Sequence, residues 1–241
     1  MKIDLLGFGP HPDDVEITSA GLFLKMRKMG YKTAIVDLTR GERGTRGTPE
    51  IRASEAGRAA KLLGLSARVN LGLPDGELLL TRDAKRAVAA VVREFRPSLV
   101  VAPYEKDSHP DHAHASRIVT EGCFIAGLAK LDLPGEPHRP KAILHTLYHQ
   151  EKDFWPDFVV DVTAEWEGKK KVMACYASQF HKPGSRARAT NISRRDFLPR
   201  IEARARVMGD HVGVEFGEGY ITREPLLLSD PVGHFEGWKK L

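Results

Sequence analysis

The chain has 241 residues, 41% hydrophobic and 29% charged, with a formal net charge of +5. That length and composition suit one globular domain over residues 1–241 with a sizeable core. The basic excess is mild and clusters only at Lys169-Lys170-Lys171 and Lys239-Lys240, which argues against a nucleic-acid face. No apolar run approaches the ~20 residues needed to span a bilayer. The first residues enter a strand pattern at once, with no signal-peptide pattern, so a cytoplasmic protein with no membrane partner is expected. Cys123 and Cys175 lack Cys-x-x-Cys spacing and read as small buried hydrophobes.

In chain order, residues 2–9 (KIDLLGFG) predict a strand. Leu22, Phe23, Met26 and Met29 share a helical face that Gly30 ends. Residues 32–38 (KTAIVDL) predict the next strand, and the glycine-rich stretch 41–47 (GERGTRG) a mobile loop. Thr48-Pro49-Glu50 opens a helix with a cap, a first-turn proline and an acid; it runs to about Leu63, before Gly64. A short strand over 68–71 leads to a turn at Leu73-Pro74-Asp75-Gly76. A helix over 82–95, a buried strand over 98–102 and a helix over about 111–128 follow. Strands are expected at 143–149 and 158–162, and helices at 164–178 and 199–207. Alternating strands and helices predict an α/β, Rossmann-like fold. Its sheet is mostly parallel with helices on both faces, and its C-terminal part is less regular.

Two near-identical tetrapeptides stand out: His11-Pro12-Asp13-Asp14 and His109-Pro110-Asp111-His112. Each follows a predicted strand and precedes a predicted helix. In an open parallel sheet the strand C-termini line one edge, where ligands bind. The two segments would therefore meet in one crevice. His11 and His112 offer imidazole nitrogens, and Asp13 or Asp14 a carboxylate oxygen. Two histidines and one carboxylate leave open positions on a metal, which suits catalytic zinc or non-haem iron(II) without separating them. Adjacent Asp13 and Asp14 do not readily ligate from the same side, so one is expected to bind metal and the other to take a proton from water. His109 and His112, three apart, would share a helical face, with His114 pointing elsewhere. The bland alternative is a pair of ordinary helix caps. His138, His145, His149, His181, His211 and His234 are isolated and read as structural or exposed. Gly7-x-Gly9 fails as a dinucleotide fingerprint, because Pro12 stands where the third glycine belongs.

The paired motifs, with Glu16 after the first, resemble those of the LmbE-like, or PIG-L, zinc N-deacetylases, and the resemblance runs through nearly the whole chain. Residues 38–50 (LTRGERGTRGTPE), 70–76 (NLGLPDG) and Ser178-Gln179-Phe180 resemble the bacillithiol-pathway subgroup, which acts on N-acetylglucosaminyl malate. So do Glu202-Ala203-Arg204-Ala205-Arg206, Gly209 and Glu218-Gly219. The resemblance implies Zn2+ (Fe2+ or another divalent ion remaining open) on His11, Asp14 and His112, with Asp13 as general base. His109 would stabilise the oxyanion or act as acid, oriented by Asp111. Arg52 and Asp75 would contact the sugar. Arg40, Arg43, Arg46 and Arg52 crowd around the glycine-rich loop and would meet the carboxylates of an anionic N-acetylglucosamine conjugate, against the alternative, for the first three, of a solvated loop. A homo-oligomer, such as a hexamer, is also implied. Asp107 stands where a mycothiol-pathway relative carries a tyrosine, leaving Tyr104 and Tyr148 as candidate oxyanion donors. Competing readings are an amidase of another N-acetyl sugar or thiol conjugate, and a non-catalytic basic binding module.

Overall fold

A computed structural model describes residues 1–147 and 155–236. Seven strands form one sheet in the order β3-β2-β1-β4-β5-β7-β6. The parallel part holds β1 (Leu5–Gly9), β2 (Thr33–Thr39), β3 (Ala67–Leu73), β4 (Leu99–Pro103) and β5 (Ala142–Thr146). β6 (Phe158–Asp161) and β7 (Gly217–Thr222) complete it, with β7 antiparallel to both β5 and β6. The expected mostly parallel α/β sheet is present. The β7 strand was not expected. Its Gly-Glu-Gly start carries no strand signal, and its place in the sheet comes from pairing with β5 and β6.

Strand side chains alternate between two cores, as a period of two requires. Leu5, Ile35 and Val101 pack with α1 (Asp14–Lys28), α2 (Pro49–Leu63), α5 (Trp166–Met173) and α6 (Phe197–Asp210). Leu6, Phe8, Val36 and Val100 pack with α3 (Arg82–Phe95) and α4 (Pro110–Ala126). Every residue of β1 and β2 is buried, as befits strands covered on both faces. Gly7 lets α1 lie close: a Cβ there would fall 2.7 Å from the Phe23 ring.

Helix ends follow local chemistry. Thr48 accepts from the Ile51 amide (3.3 Å) and Pro49 opens α2; Thr81 accepts from the Ala84 amide (3.1 Å) at α3. The helix expected at 164–178 is shorter: a 3-10 turn at Thr163–Glu165 precedes α5, which ends at Met173. The helix expected at 199–207 runs from Phe197 to Asp210, with Pro199 tolerated in its first turn. A short α7 (Pro231–Glu236) lies in the tail. The end of the 143–149 strand, His149 and Tyr148 lie outside the described residues. Cys123 is buried as expected, whereas Cys175 is only half-buried. Among the described residues, no helix is long and apolar enough to cross a membrane.

Candidate metal centre

β1 lies between β2 and β4, so chain leaving its C-terminal end enters the cleft where the connections on its two sides diverge. The first tetrapeptide follows β1 and the second follows β4, and the sheet brings them together. The site lines a cavity of about 460 Å³ with His11, Asp13, Asp14, His109 and His112 on one wall. Gln179 and Asn191 contribute to its remaining boundary.

His11, Asp14 and His112 are all buried and offer ligand atoms within 4.8 Å of one another. His11 Nδ1 lies 3.0 Å from Asp14 Oδ2, and His112 Nε2 lies 3.4 Å from Asp14 Oδ1. The far nitrogen of each ring is held by other carboxylates. His112 Nδ1 is 2.8 Å from Asp107 Oδ2; His11 Nε2 is 3.1 Å from Asp75 Oδ1 and 3.3 Å from Asp111 Oδ2. Ligating histidines characteristically donate their other N–H to a carboxylate. This donor set therefore fits a divalent ion with nitrogen and oxygen preference. His11, His109 and Asp111 also approach closely, but the Asp111 oxygens accept from the Gly76 (2.7 Å) and Leu78 (3.2 Å) amides.

Charge follows this packing in the metal-free protein. Burial pulls His112 towards neutrality, but Asp14 and Asp107 outweigh it and lift its pKa to about 9. Burial likewise opposes a charged His11, yet Asp111, Asp14 and Asp75 hold it well above the usual value. Burial would raise Asp14, but His112 and His11 keep its carboxyl well below the usual range. His109 is lowered by burial and by the neighbouring imidazoles.

Asp13 differs from a routine cap. Its φ is 125°, a strained value for a non-glycine residue, and its side chain makes no capping bond to α1. Burial raises its pKa to about 7 against the opposing charge of Arg52. Arg52 Nη2 donates to the Pro12 carbonyl (2.6 Å) and stands 3.2 Å from Asp13 Oδ2. That second approach lacks hydrogen-bond alignment, so Oδ2 is buried with no hydrogen-bond partner. Around Arg52, Gly41 is in the left-handed region (φ 64°), where a Cβ would fall 2.2 Å from Nη1.

The remaining expected site residues take the following partners. Asp111 was expected to orient the His109 ring. Its carboxylate instead faces His11, and it meets His109 through its backbone amide, which donates to His109 Nδ1 (3.2 Å). With Nδ1 accepting, the neutral His109 ring carries its proton on Nε2. Arg52 and Asp75 both line the cavity, but their polar groups engage Asp13 and His11. The loop expected to be mobile is tied down. Arg46 is buried, donates to the Ser178 carbonyl (2.9 Å), and its own carbonyl accepts from Gln179 (2.7 Å). Arg43 lines the cavity and pairs with Glu77, while Arg40 is exposed. His114 turns away, bonded to the Leu78 carbonyl. His145 is fully buried and bonded to the Pro103 carbonyl, and His138 to that of Pro97. Sequence reading missed the tie between Asp107 and His112. Its only signal was an acid two residues before the second motif.

Known proteins resemble the chain across the segment that carries this site. Residues 6–123, which span both motifs, match the model of the family described as PIG-L, GlcNAc-PI de-N-acetylase. The diacetylchitobiose deacetylase of Thermococcus kodakarensis is 31% identical over 187 residues, covering 71% of this chain and 68% of that protein. The 4-oxalmesaconate hydratase of Pseudomonas putida is 27% identical, covering 71% and 72%. Among solved structures, the conserved protein TT1542 from Thermus thermophilus superposes with a TM-score of 0.85 at 36% identity, over 95% of this chain and 98% of that one. With residues 6–123 matched to the family and a relative of 31% identity covered over 68% of its length, the chain belongs to the PIG-L family of de-N-acetylases.

Proposed function

We propose that this chain is a metal-dependent hydrolase that removes the N-acetyl group from an N-acetylglucosamine conjugate. The observation that carries this reading is the orphaned, buried Oδ2 of Asp13 beside the His11, Asp14 and His112 donor set. A divalent ion held by those three residues would supply Lewis acidity to the acetyl carbonyl and acidify a water molecule. Asp13 takes the proton from the attacking water and returns it to the departing amine nitrogen. Its burial and its pKa of about 7 in the metal-free protein suit both directions of transfer. His109 donates Nε2–H to the oxygen that gains charge as the carbonyl becomes tetrahedral. Arg52 keeps Asp13 in place, and Asp75 keeps His11 in place.

The substrate we favour is N-acetylglucosaminyl malate, a step in bacillithiol biosynthesis. Arg43 and Arg40 are the loop arginines whose exposure leaves them able to meet its carboxylates. The test is amine release from N-acetylglucosaminyl malate and from free N-acetylglucosamine, by metal-loaded and chelator-stripped protein. Metal-dependent release that favours the malate conjugate, with a raised KM in Arg43→Gln, is expected. Release without that preference would keep the chemistry and discard the substrate. Absence of any release, with 4-oxalmesaconate hydrated instead, would overturn the deacetylase reading.

A further inference from the structure

The carboxylate of Asp107 contacts both histidines of the second motif. Oδ1 accepts from the backbone amide of His109 (2.7 Å), and Oδ2 lies 2.8 Å from His112 Nδ1. Its side chain is only 3% exposed, so water does not compete freely for either bond. A carboxylate accepts and does not donate, so Nδ1 of His112 must carry a proton. In a neutral imidazole the lone pair then falls on Nε2, the nitrogen that faces Asp14 Oδ1. Oδ1 does a second task with the same group: by holding the His109 amide it fixes the backbone that enters α4, on which His112 rides.

We propose that Asp107 is a positioning residue that selects the metal-binding tautomer of His112 and locks the start of α4 in the ligating arrangement. The proposal rests on the reading that His11, Asp14 and His112 hold a divalent ion. An asparagine at 107 would have the same shape but only one acceptor oxygen. Either His109 N–H or His112 Nδ1–H would then face an amide NH2 group, which cannot accept.

The experiment is Zn2+ binding to the full-length protein, measured by chelator competition for wild type, Asp107→Asn, Asp107→Ala and His112→Ala. In parallel, 15N-histidine NMR of the metal-free protein, at a pH where the His112 ring is neutral, reads its tautomer. Outer carboxylate partners typically govern 10–100-fold in metal affinity. A loss of that size is expected in Asp107→Asn, with a larger loss in His112→Ala. His112 should show a protonated Nδ1 in wild type and a mixture of tautomers in Asp107→Asn, where one amide oxygen must serve two donors, and in Asp107→Ala. A loop role alone would lower the melting temperature of the metal-free variant without changing the tautomer, and that result would overturn the proposal. Wild-type affinity and an unchanged tautomer in Asp107→Asn would overturn it too. If Asp107→Ala fails to fold, Asp107→Asn carries the test. Failure of wild type to bind Zn2+, or wild-type affinity in His112→Ala, would instead remove the metal-centre reading and the proposal with it.

Discussion

The guanidinium of Arg52 stands 3.2 Å from Asp13 Oδ2 yet directs its hydrogen bond, at 2.6 Å, to the Pro12 carbonyl. Arg52 thus holds the backbone of the first motif and lends Asp13 a nearby positive charge, while leaving Oδ2 open to a proton. Arg52 is itself buried, so this geometry is set by packing from α2 and the 41–47 loop.

Asp13→Asn should lower kcat by about 10²–10⁴-fold, the usual contribution of a positioned general acid-base group. Metal affinity should stay near wild type, because Asp13 is outside the ligand trio. Turnover and bound metal measured on one preparation check both halves. Wild-type turnover in the metal-loaded variant would remove Asp13 from the reaction.

Gly41→Ala should damage the site without touching a reacting group. The new methyl would meet Arg52 Nη1 at 2.2 Å, on a backbone with φ 64° that side chains rarely adopt. Arg52 must shift, and Asp13 loses its neighbouring charge. The expected result is a fall in kcat with nearly unchanged metal affinity, together with a lower melting temperature. Unchanged kcat would show that Arg52 does not govern Asp13.

Metal binding should release protons at neutral pH. In the metal-free protein His112 stays protonated up to about pH 9, and His11 is raised as well. Both must shed a proton to ligate, so affinity should rise with pH from neutrality through about 9. It should weaken steadily below neutrality. Titration calorimetry in buffers of different ionisation heat counts the released protons. A pH-independent affinity between 6 and 9 would contradict the expectation.

Glu218 should matter for stability more than its position in a glycine-flanked strand suggests. Its Oε1 meets Lys169 Nζ at 2.6 Å and accepts from the Gly21 amide at 2.9 Å. Its Oε2 accepts from the Leu22 amide (2.8 Å) and the Tyr220 hydroxyl (3.0 Å). Both partners of the ion pair are buried. Glu218→Ala leaves a buried ammonium without its counter-charge and removes the carboxylate that the Gly21 and Leu22 amides and the Tyr220 hydroxyl meet, a loss expected to cost about 3–5 kcal/mol. Urea denaturation measures it. A change below about 1 kcal/mol would mean that water replaces the carboxylate.

The sequence by itself determined the order of strands and helices in the first half, because hydrophobic period, threonine caps and Gly64 act locally within one element. It also marked His11, the Asp13-Asp14 pair, His109 and His112, since each motif sits where a strand gives way to a helix. Pairing decided the rest. β7 enters the sheet through partners far along the chain, and Tyr220-Ile221-Thr222 after two glycines is too short a strand signal to announce it. The partners of the site residues were hidden for the same reason. Asp111 lies beside His109 in sequence but turns its carboxylate to His11, about a hundred positions away, because the Gly76 and Leu78 amides hold it there. Arg46 and Arg52 look alike on paper. One clamps the Ser178 turn and the other flanks Asp13, since each was buried by a different neighbour. Residue type states which bonds a side chain can make; only the folded chain decides which partner comes within reach.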